Sequence, residues 1–201
     1  MDWIETTATV VQAIAVTGAG YAAWRSLTTW RYEMTARRRA ELAEHTMAMF
    51  YEARDRIAWV RVPASFGEEG SSRPIEPNET EHDTKNKNAL YVPIERLSRH
   101  AEFWGQFDAG RYAFMAVFGE EATEPFNSVS EIRSQVRLSA RMLIMTYGKV
   151  DENREERKAQ VDKWESAIGW RLTEKDEIAQ LMDSAVSKIE EVCKPAITGK
   201  P

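Results

Sequence analysis

The residues of this chain best suited to binding chemistry fall on a predicted helix in the middle of the sequence. Asp108 and Arg111 are three residues apart and can pair on one side of a helix. At 100° per residue, Asp108 falls near the centre of an apolar face that includes Leu97 and Trp104, and His100 falls at its border. Burying an unpaired charge costs several kcal/mol. This pattern therefore predicts either an ion pair that sets helix register or a polar pocket inside a bundle.

A row of arginines on the next predicted helix offers partners for that aspartate. Arg133, Arg137 and Arg141 lie one turn apart along an apolar border, and Arg56 borders the apolar face of the first helix. Such arginines either bind a phosphate or carboxylate or form a solvated flank whose stems cover apolar surface. The candidate polar cluster is His100, Asp108, Arg111, Arg56, Arg133 and Arg137.

Sequence motifs for catalysis or metal binding are missing. The sequence has no glycine-rich phosphate loop and no Gly-x-Ser-x-Gly elbow. One cysteine and three scattered histidines do not supply a zinc site, and the one Glu-x-x-His pair, Glu79 and His82, lies in a polar segment outside the predicted helices. We therefore expect a protein that is not an enzyme, with no catalytic residue, no metal and no cofactor.

The most unusual segment is a run of 19 uncharged residues from Thr6 to Trp24. As a helix it would extend roughly 28 Å, about the thickness of the hydrocarbon core of a bilayer. Small residues such as Gly18 recur along it and favour close helix packing in lipid. The segment predicts a transmembrane helix, and the alternative is a soluble or interfacial helix packed on the body of the protein.

Charge differs between the two ends of this run. Asp2 and Glu5 precede it, whereas five arginines and one acid lie between Arg25 and Arg39. By the positive-inside tendency, we expect residues 1–24 to anchor the chain in the inner membrane with the N-terminus outside and residues 25–201 in the cytoplasm. The net charge of −5 argues against nucleic acid as a partner.

The remaining sequence predicts an all-α fold. The first helix should continue from the membrane to about residue 61, because Pro63 stops it. Further helices are predicted over 89–118, over about 127–147 and near the C-terminus. The polar stretch 64–88 is expected to be a long, mostly disordered loop. The prediction is an antiparallel bundle of about four helices joined to an N-terminal transmembrane or membrane-proximal helix.

Aromatic residues exceed what one helix face can bury. The run from Phe103 to Phe118 wraps more than one side of its helix, so some rings must pack on a second neighbour or on a partner chain. Phe66 is the one large aromatic residue in the polar stretch. The candidate interface residues are therefore Phe66, Phe103 and Phe114.

Three stretches carry a resemblance to known sequences. They are Phe-Tyr-Glu-Ala-Arg-Asp-Arg-Ile at 50–57 with Ser-Phe-Gly-Glu-Glu-Gly at 65–70, Tyr-Val-Pro-Ile-Glu-Arg-Leu at 91–97, and Ile-Glu-Glu-Val-Cys-Lys-Pro at 189–195. In this order behind an N-terminal span, they resemble a group of uncharacterised bacterial single-span helical proteins with no assigned activity. The resemblance implies a helical protein of a bacterial inner membrane and assigns no functional residue.

Three functions fit these features. The leading hypothesis is a membrane-tethered interaction or scaffold protein whose helical body binds another protein or a second copy of itself. One alternative is an effector that permeabilises the membrane when several copies assemble. The other is a helical bundle that binds a small anionic ligand at the polar cluster.

Overall fold

The computed structural model describes the backbone of residues 2–149, 154–170 and 176–199, with side chains from residue 16 onward apart from residue 154. Within these ranges no strand occurs, so the all-α prediction is confirmed. The elements are α1 (Asp2–Val60), α2 (Glu81–Arg99), α3 (Ala101–Phe118), a short 3₁₀ turn (Glu121–Thr123), α4 (Glu124–Thr146), α5 (Arg154–Ala167) and α6 (Glu177–Thr198).

α1 is a single helix of 59 residues, about 90 Å long at the usual rise per residue. It ends at Val60, as Pro63 predicted. Its two halves have different surroundings. Every described side chain from Val16 to Arg39 is exposed, whereas Ala43 is completely buried. Residues 16–39 are therefore not packed into the body of the protein, and the alternative of a helix packed on the body does not describe them.

The predicted membrane span falls largely on residues whose side chains lie outside the described part. Thr6 is among these, while Gly18 and Trp24 lie exposed on α1. Among the residues that the structure describes, no helix combines the length and the apolar character needed to cross a bilayer.

The core lies between the second half of α1 and the helices that follow it. α6 packs along α1, and α4 packs against α2, α5 and α6. At its centre the rings of Phe50 and Phe107 lie 5.0 Å apart, and Phe126 meets Phe50 edge-on at 4.9 Å. Edge-to-face and tilted aromatic pairs of this kind are favourable beyond their apolar burial. The predicted helical bundle is confirmed.

The single helix predicted over 89–118 is two helices. α2 begins at Glu81 because Thr80 caps it: the Thr80 hydroxyl accepts a hydrogen bond from the backbone N–H of Asp83 at 3.1 Å. The chain leaves helical geometry at His100 (φ −103°, ψ 22°), and α3 starts at the next residue. Because the helix is interrupted here, the residues of α3 do not continue the 100° spacing of α2. The apolar face of α2 therefore does not extend along α3. Asp108 is exposed, and its predicted place at the centre of an apolar face is wrong.

The prediction of a mostly disordered loop over 64–88 is also wrong. Residues 81–88 belong to α2, and the preceding segment is organised around two buried arginines. Arg96 donates to the carbonyl of Val62 at 2.8 Å and to Glu69 at 2.6 Å. Arg73 pairs with Glu79 at 2.5 Å. The acids of this segment neutralise buried arginines, which composition alone does not reveal.

A close backbone contact adds to the order of this segment. Gly70 has φ +86°, and a Cβ at this position would lie 2.0 Å from the carbonyl oxygen of Asn88. Its N–H donates to the carboxylate of Glu95 on α2 at 2.8 Å. Only glycine combines this dihedral angle with so close an approach, so the segment and α2 are in direct backbone contact.

A third arginine joins the end of α1 to the start of α6. The guanidinium of Arg61 donates to both carboxylate oxygens of Asp176, at 2.9 and 2.8 Å, and to the carbonyl of Ala167 at 2.9 Å. Asp176 also caps α6 by accepting from the backbone N–H of Ala179 at 3.1 Å. One carboxylate therefore caps a helix and pairs with a buried cation.

Candidate functional site

Three of the six residues of the predicted polar cluster lie together in a groove between α3 and α4. The groove has a volume of about 460 Å³. Asp108 of α3 accepts a hydrogen bond from Nη2 of Arg133 on α4 at 2.6 Å. Arg137 lies one turn further along α4, is exposed, and forms no ion pair with any described residue. The other residues that line the groove are Leu97, Ser98, Ala101, Trp104, Gly105, Ser130 and Ser134.

Trp104 positions the arginine that forms this ion pair. The guanidinium carbon of Arg133 lies 4.8 Å from the centroid of the Trp104 ring, which is the geometry of a cation–π contact. The Nε of Arg133 and the indole Nε1 of Trp104 are both buried without a hydrogen-bond partner among the described residues. A buried donor without an acceptor costs about 1–3 kcal/mol. The groove wall therefore holds more donors than acceptors.

Three serine hydroxyls also line the groove. The Ser98 hydroxyl donates to the carbonyl of Ile94 at 2.9 Å, whereas the hydroxyls of Ser130 and Ser134 have no partner among the described residues. Two guanidinium groups face one carboxylate, so the groove carries a net positive charge. This arrangement suits a small carboxylate or phosphate, because both accept several hydrogen bonds from arginine and hydroxyl donors.

Two further residues of the predicted cluster meet at a separate, smaller cavity of about 260 Å³. Arg56 donates from Nε and Nη2 to Glu52 at 2.9 and 2.5 Å, and its Nη1 contacts Nδ1 of His100. Burial lowers the pKa of His100, and the neighbouring positive charge of Arg56 lowers it further. His100 is therefore held neutral, with Nδ1 free to accept from Arg56.

Arg111 joins neither group. Its guanidinium carbon lies 6.0 Å from the ring centroid of Tyr112, and its Nε is buried without a partner among the described residues. The predicted pair of Asp108 and Arg111 is replaced by the pair of Asp108 and Arg133. The six predicted residues therefore occupy three places: the groove, the smaller cavity and the surroundings of Arg111.

The three predicted interface residues lie in different surroundings. Phe114 is completely buried, so its assignment to an interface is wrong. Phe103 is half-buried under the guanidinium of Arg56, at 4.4 Å from its ring centroid. Phe66 remains exposed and stacks on Trp59, with ring centroids 6.1 Å apart and planes 6° from parallel. Because Trp59 is exposed as well, these two rings form one aromatic patch on the surface.

The cysteine of this chain lies in the core, and the described residues form no metal centre. Cys193 is fully buried, and burial raises the pKa of its thiol to about 11, so it stays protonated at neutral pH. No group of three histidine, cysteine or carboxylate side chains in the described ranges is close enough to hold a metal ion.

The residues with the most extensive polar contacts were missed at the level of sequence. Arg96 and Arg61 each bind backbone carbonyls and a carboxylate far along the chain. The sequence held one local sign that Arg96 is buried: it stands between apolar residues on the buried side of α2. Neither arginine indicates a ligand, because the protein itself satisfies both of them.

The groove beside Arg137, the cavity beside His100 and the exposed pair of Trp59 and Phe66 are three surface features of the described residues. They differ in kind, since the first carries a net positive charge and the last consists of aromatic rings. No family model, curated protein or solved structure matches this chain.

Proposed function

We propose that this protein is a membrane-tethered interaction protein that acts by binding rather than by catalysis. Its N-terminal segment, residues 1–24, holds the chain at the cytoplasmic face of a bacterial inner membrane, and its helical body binds a protein partner. The observation that carries this proposal is the complete exposure of α1 from Val16 to Arg39. A helix that leaves its own domain with large apolar side chains uncovered needs another environment to cover them.

The exposed residues of α1 have the composition of a membrane boundary. Tyr21, Trp24 and Trp30 are each more than half exposed, and rings of this kind favour the headgroup region of a bilayer. Arg25 and Arg31 lie among them, and positively charged residues favour the cytoplasmic side. Aromatic and basic residues therefore meet where the proposed span would leave the membrane.

The exposed aromatic patch of Trp59 and Phe66 supports the binding role of the body. Arg96 stacks on Trp59, with the guanidinium carbon 4.7 Å from the ring centroid. Since Arg96 is itself held by buried carbonyls and Glu69, the patch stands on a rigid base. A preorganised aromatic surface loses little conformational entropy on binding, which is typical of the central residues of an interface.

The tether is tested by placing charges in the proposed span of the full-length chain. Val16→Lys with Ala19→Lys puts two cations into it, and each should oppose insertion by about 2.5–3.5 kcal/mol at mid-membrane, and by less nearer its ends. We expect the wild type to sediment with bacterial membranes and to resist alkaline extraction, and the double variant to move to the soluble fraction. Tyr32→Lys, which lies outside the span, is the matched control and should behave as wild type. Equal sedimentation of all three proteins would refute the tether.

A second function is favoured by the groove between α3 and α4, which we propose as a site for a small carboxylate or phosphate. Arg137 is the residue that carries it, because its guanidinium has no anionic partner among the described residues while it borders a groove of about 460 Å³. Leu97 and Ala101 supply an apolar wall for the rest of such a ligand. This site is compatible with the tether and is tested separately.

A further inference from the structure

The exposed half of α1 carries a seven-residue apolar repeat. Six residues follow each other at alternating spacings of four and three: Val16, Gly20, Ala23, Leu27, Trp30 and Met34. In heptad notation they occupy d, a, d, a, d and a. All six are exposed, and Val16, Leu27 and Trp30 are exposed by 57% or more. α1 therefore presents a continuous apolar seam that no described residue of the body covers.

The seam stops where α1 enters the bundle. The next d and a positions are Arg37 and Glu41, which pair with each other on the helix surface at 3.0 Å. Two residues later, Ala43 is fully buried in the core. The seam and the core thus use different, consecutive parts of one helix, so occupation of the seam leaves the bundle unchanged.

We propose that a second copy of this chain covers the seam, in a parallel coiled coil over residues 16–38. The charges beside the seam select this partner and this direction. Glu33 occupies g and Arg38 occupies the e position of the following heptad, which are the two positions that meet between parallel helices. Neither side chain forms an ion pair within the described part of the protomer. In a parallel pair, Glu33 of each helix faces Arg38 of the other helix, so symmetry forms this ion pair twice.

An antiparallel pair lacks this complementarity. In that arrangement each g position faces another g position, and those along the seam are Ala19, Ser26 and Glu33. None of them is basic, so Glu33 gains no cation in any register. The charge pattern therefore favours two chains whose N-termini point the same way.

The residue sizes along the seam agree with this direction. Gly20 and Ala23 are small and permit close backbone approach, as helices in lipid require, whereas Leu27, Trp30 and Met34 are large, as in aqueous coiled coils. A parallel pair places the small seam residues of one helix beside those of the other, and the large seam residues beside the large ones. The proposal goes beyond the membrane tether and does not depend on it, because the seam from Leu27 onward lies outside the proposed span.

Disulfide formation in the full-length protein tests the seam. In a parallel, in-register pair the same a position of both chains meets, so Leu27→Cys should form a disulfide-linked dimer under mild oxidation in detergent micelles. Tyr32→Cys, at the outward f position of the same heptad, is the matched control. The native Cys193 remains in both because it is fully buried. We expect at least a fivefold faster dimer formation for Leu27→Cys, and equal rates in the two variants would overturn the proposal.

A charge swap tests the direction independently. In the Leu27→Cys background, Glu33→Arg and Arg38→Glu should each weaken association by roughly fivefold, since each loses two ion pairs and creates two like-charge contacts. The combination of both should restore cross-linking to near the starting rate. Additive loss in the combined variant would contradict the parallel pairing. If instead Leu27→Cys stays monomeric and Leu27→Lys releases the protein from vesicles, lipid covers the seam and the proposal is wrong.

Discussion

Arg96 of α2 and Glu69 of the segment before it form an ion pair of 2.6 Å in which the arginine side chain is fully buried. The same guanidinium donates to the carbonyls of Trp59, Val62 and Ala64. These carbonyls lie at and just beyond the end of α1, and the carbonyl of Trp59 also accepts from the backbone N–H of Val62 at 3.1 Å. One side chain therefore connects the end of α1, the following segment and α2, and supports the aromatic patch of Trp59 and Phe66.

Removal of Arg96 should destabilise the protein strongly. Arg96→Met removes the fully buried donor that serves Glu69 and the carbonyls of Val62 and Ala64, and loss of one partner of a buried ion pair costs about 3–5 kcal/mol. Arg99→Met is the matched control, because Arg99 contacts the same Glu69 from an exposed position and should cost less than about 1 kcal/mol. Urea denaturation of the two variants measures the difference. Losses of equal size would contradict the central role of Arg96.

Glu79 should contribute to acid denaturation. Hydrogen bonds from Arg73, and then from Lys87, lower the pKa of Glu79 from 4.5 to about 2. The unfolded chain then binds the proton more tightly, so the stability from Glu79 is present above pH 4.5 and is lost as pH falls toward 2. Glu79→Gln should be less stable at pH 7 and show a shallower fall in stability over this window. Identical slopes for the wild type and Glu79→Gln would contradict the assignment.

His100 should produce a second pH dependence, from a group that is charged when it is protonated. Its pKa lies below the ordinary value of 6.5 because of burial and, secondarily, the charge of Arg56. Below about pH 6.5 the unfolded chain binds more protons, so stability falls as pH decreases through this value. His100→Gln retains an acceptor for Arg56 and should flatten the fall in unfolding free energy as pH decreases below about 6.5. An unchanged pH dependence of unfolding in His100→Gln would contradict this assignment.

The groove between α3 and α4 should bind anions through Arg137. Titration of the full-length protein with inorganic phosphate should raise its melting temperature, and Arg137→Gln should weaken the apparent affinity about tenfold, the effect of losing one charge-assisted hydrogen bond. Arg141→Gln is the control, since Arg141 is exposed on the next turn outside the groove. A melting temperature that phosphate changes equally in all three proteins would indicate no site in the groove.

Local signals in the sequence predicted much of the fold. Pro63 located the end of α1 to within three residues, and the helix predicted near the C-terminus is α6. Thr80 and Asp83 carry a capping signal for α2, which the polar composition of the segment concealed. Local signals of this kind predict helix boundaries because the interactions that produce them lie within one or two helical turns.

The arrangement of the candidate site depended on distant interactions that sequence does not express. His100 interrupts the helix without a glycine or proline to signal it, so an apolar face counted across residues 89–118 gave the wrong place for Asp108. Glu69 and Arg96 are 27 residues apart and meet only in the folded chain. The pairing of Asp108 with Arg133 agrees in part with the sequence, because the row of arginines on the next predicted helix offered partners for Asp108.

Protease accessibility of the C-terminus in membranes that carry the full-length protein tests the tether most directly. Inside-out membrane vesicles should expose a C-terminal tag to added protease, whereas intact spheroplasts should protect it, because the body is proposed to lie in the cytoplasm. Recovery of the untreated protein in the soluble fraction without detergent would contradict the membrane tether. Digestion of the tag in intact spheroplasts would contradict its orientation.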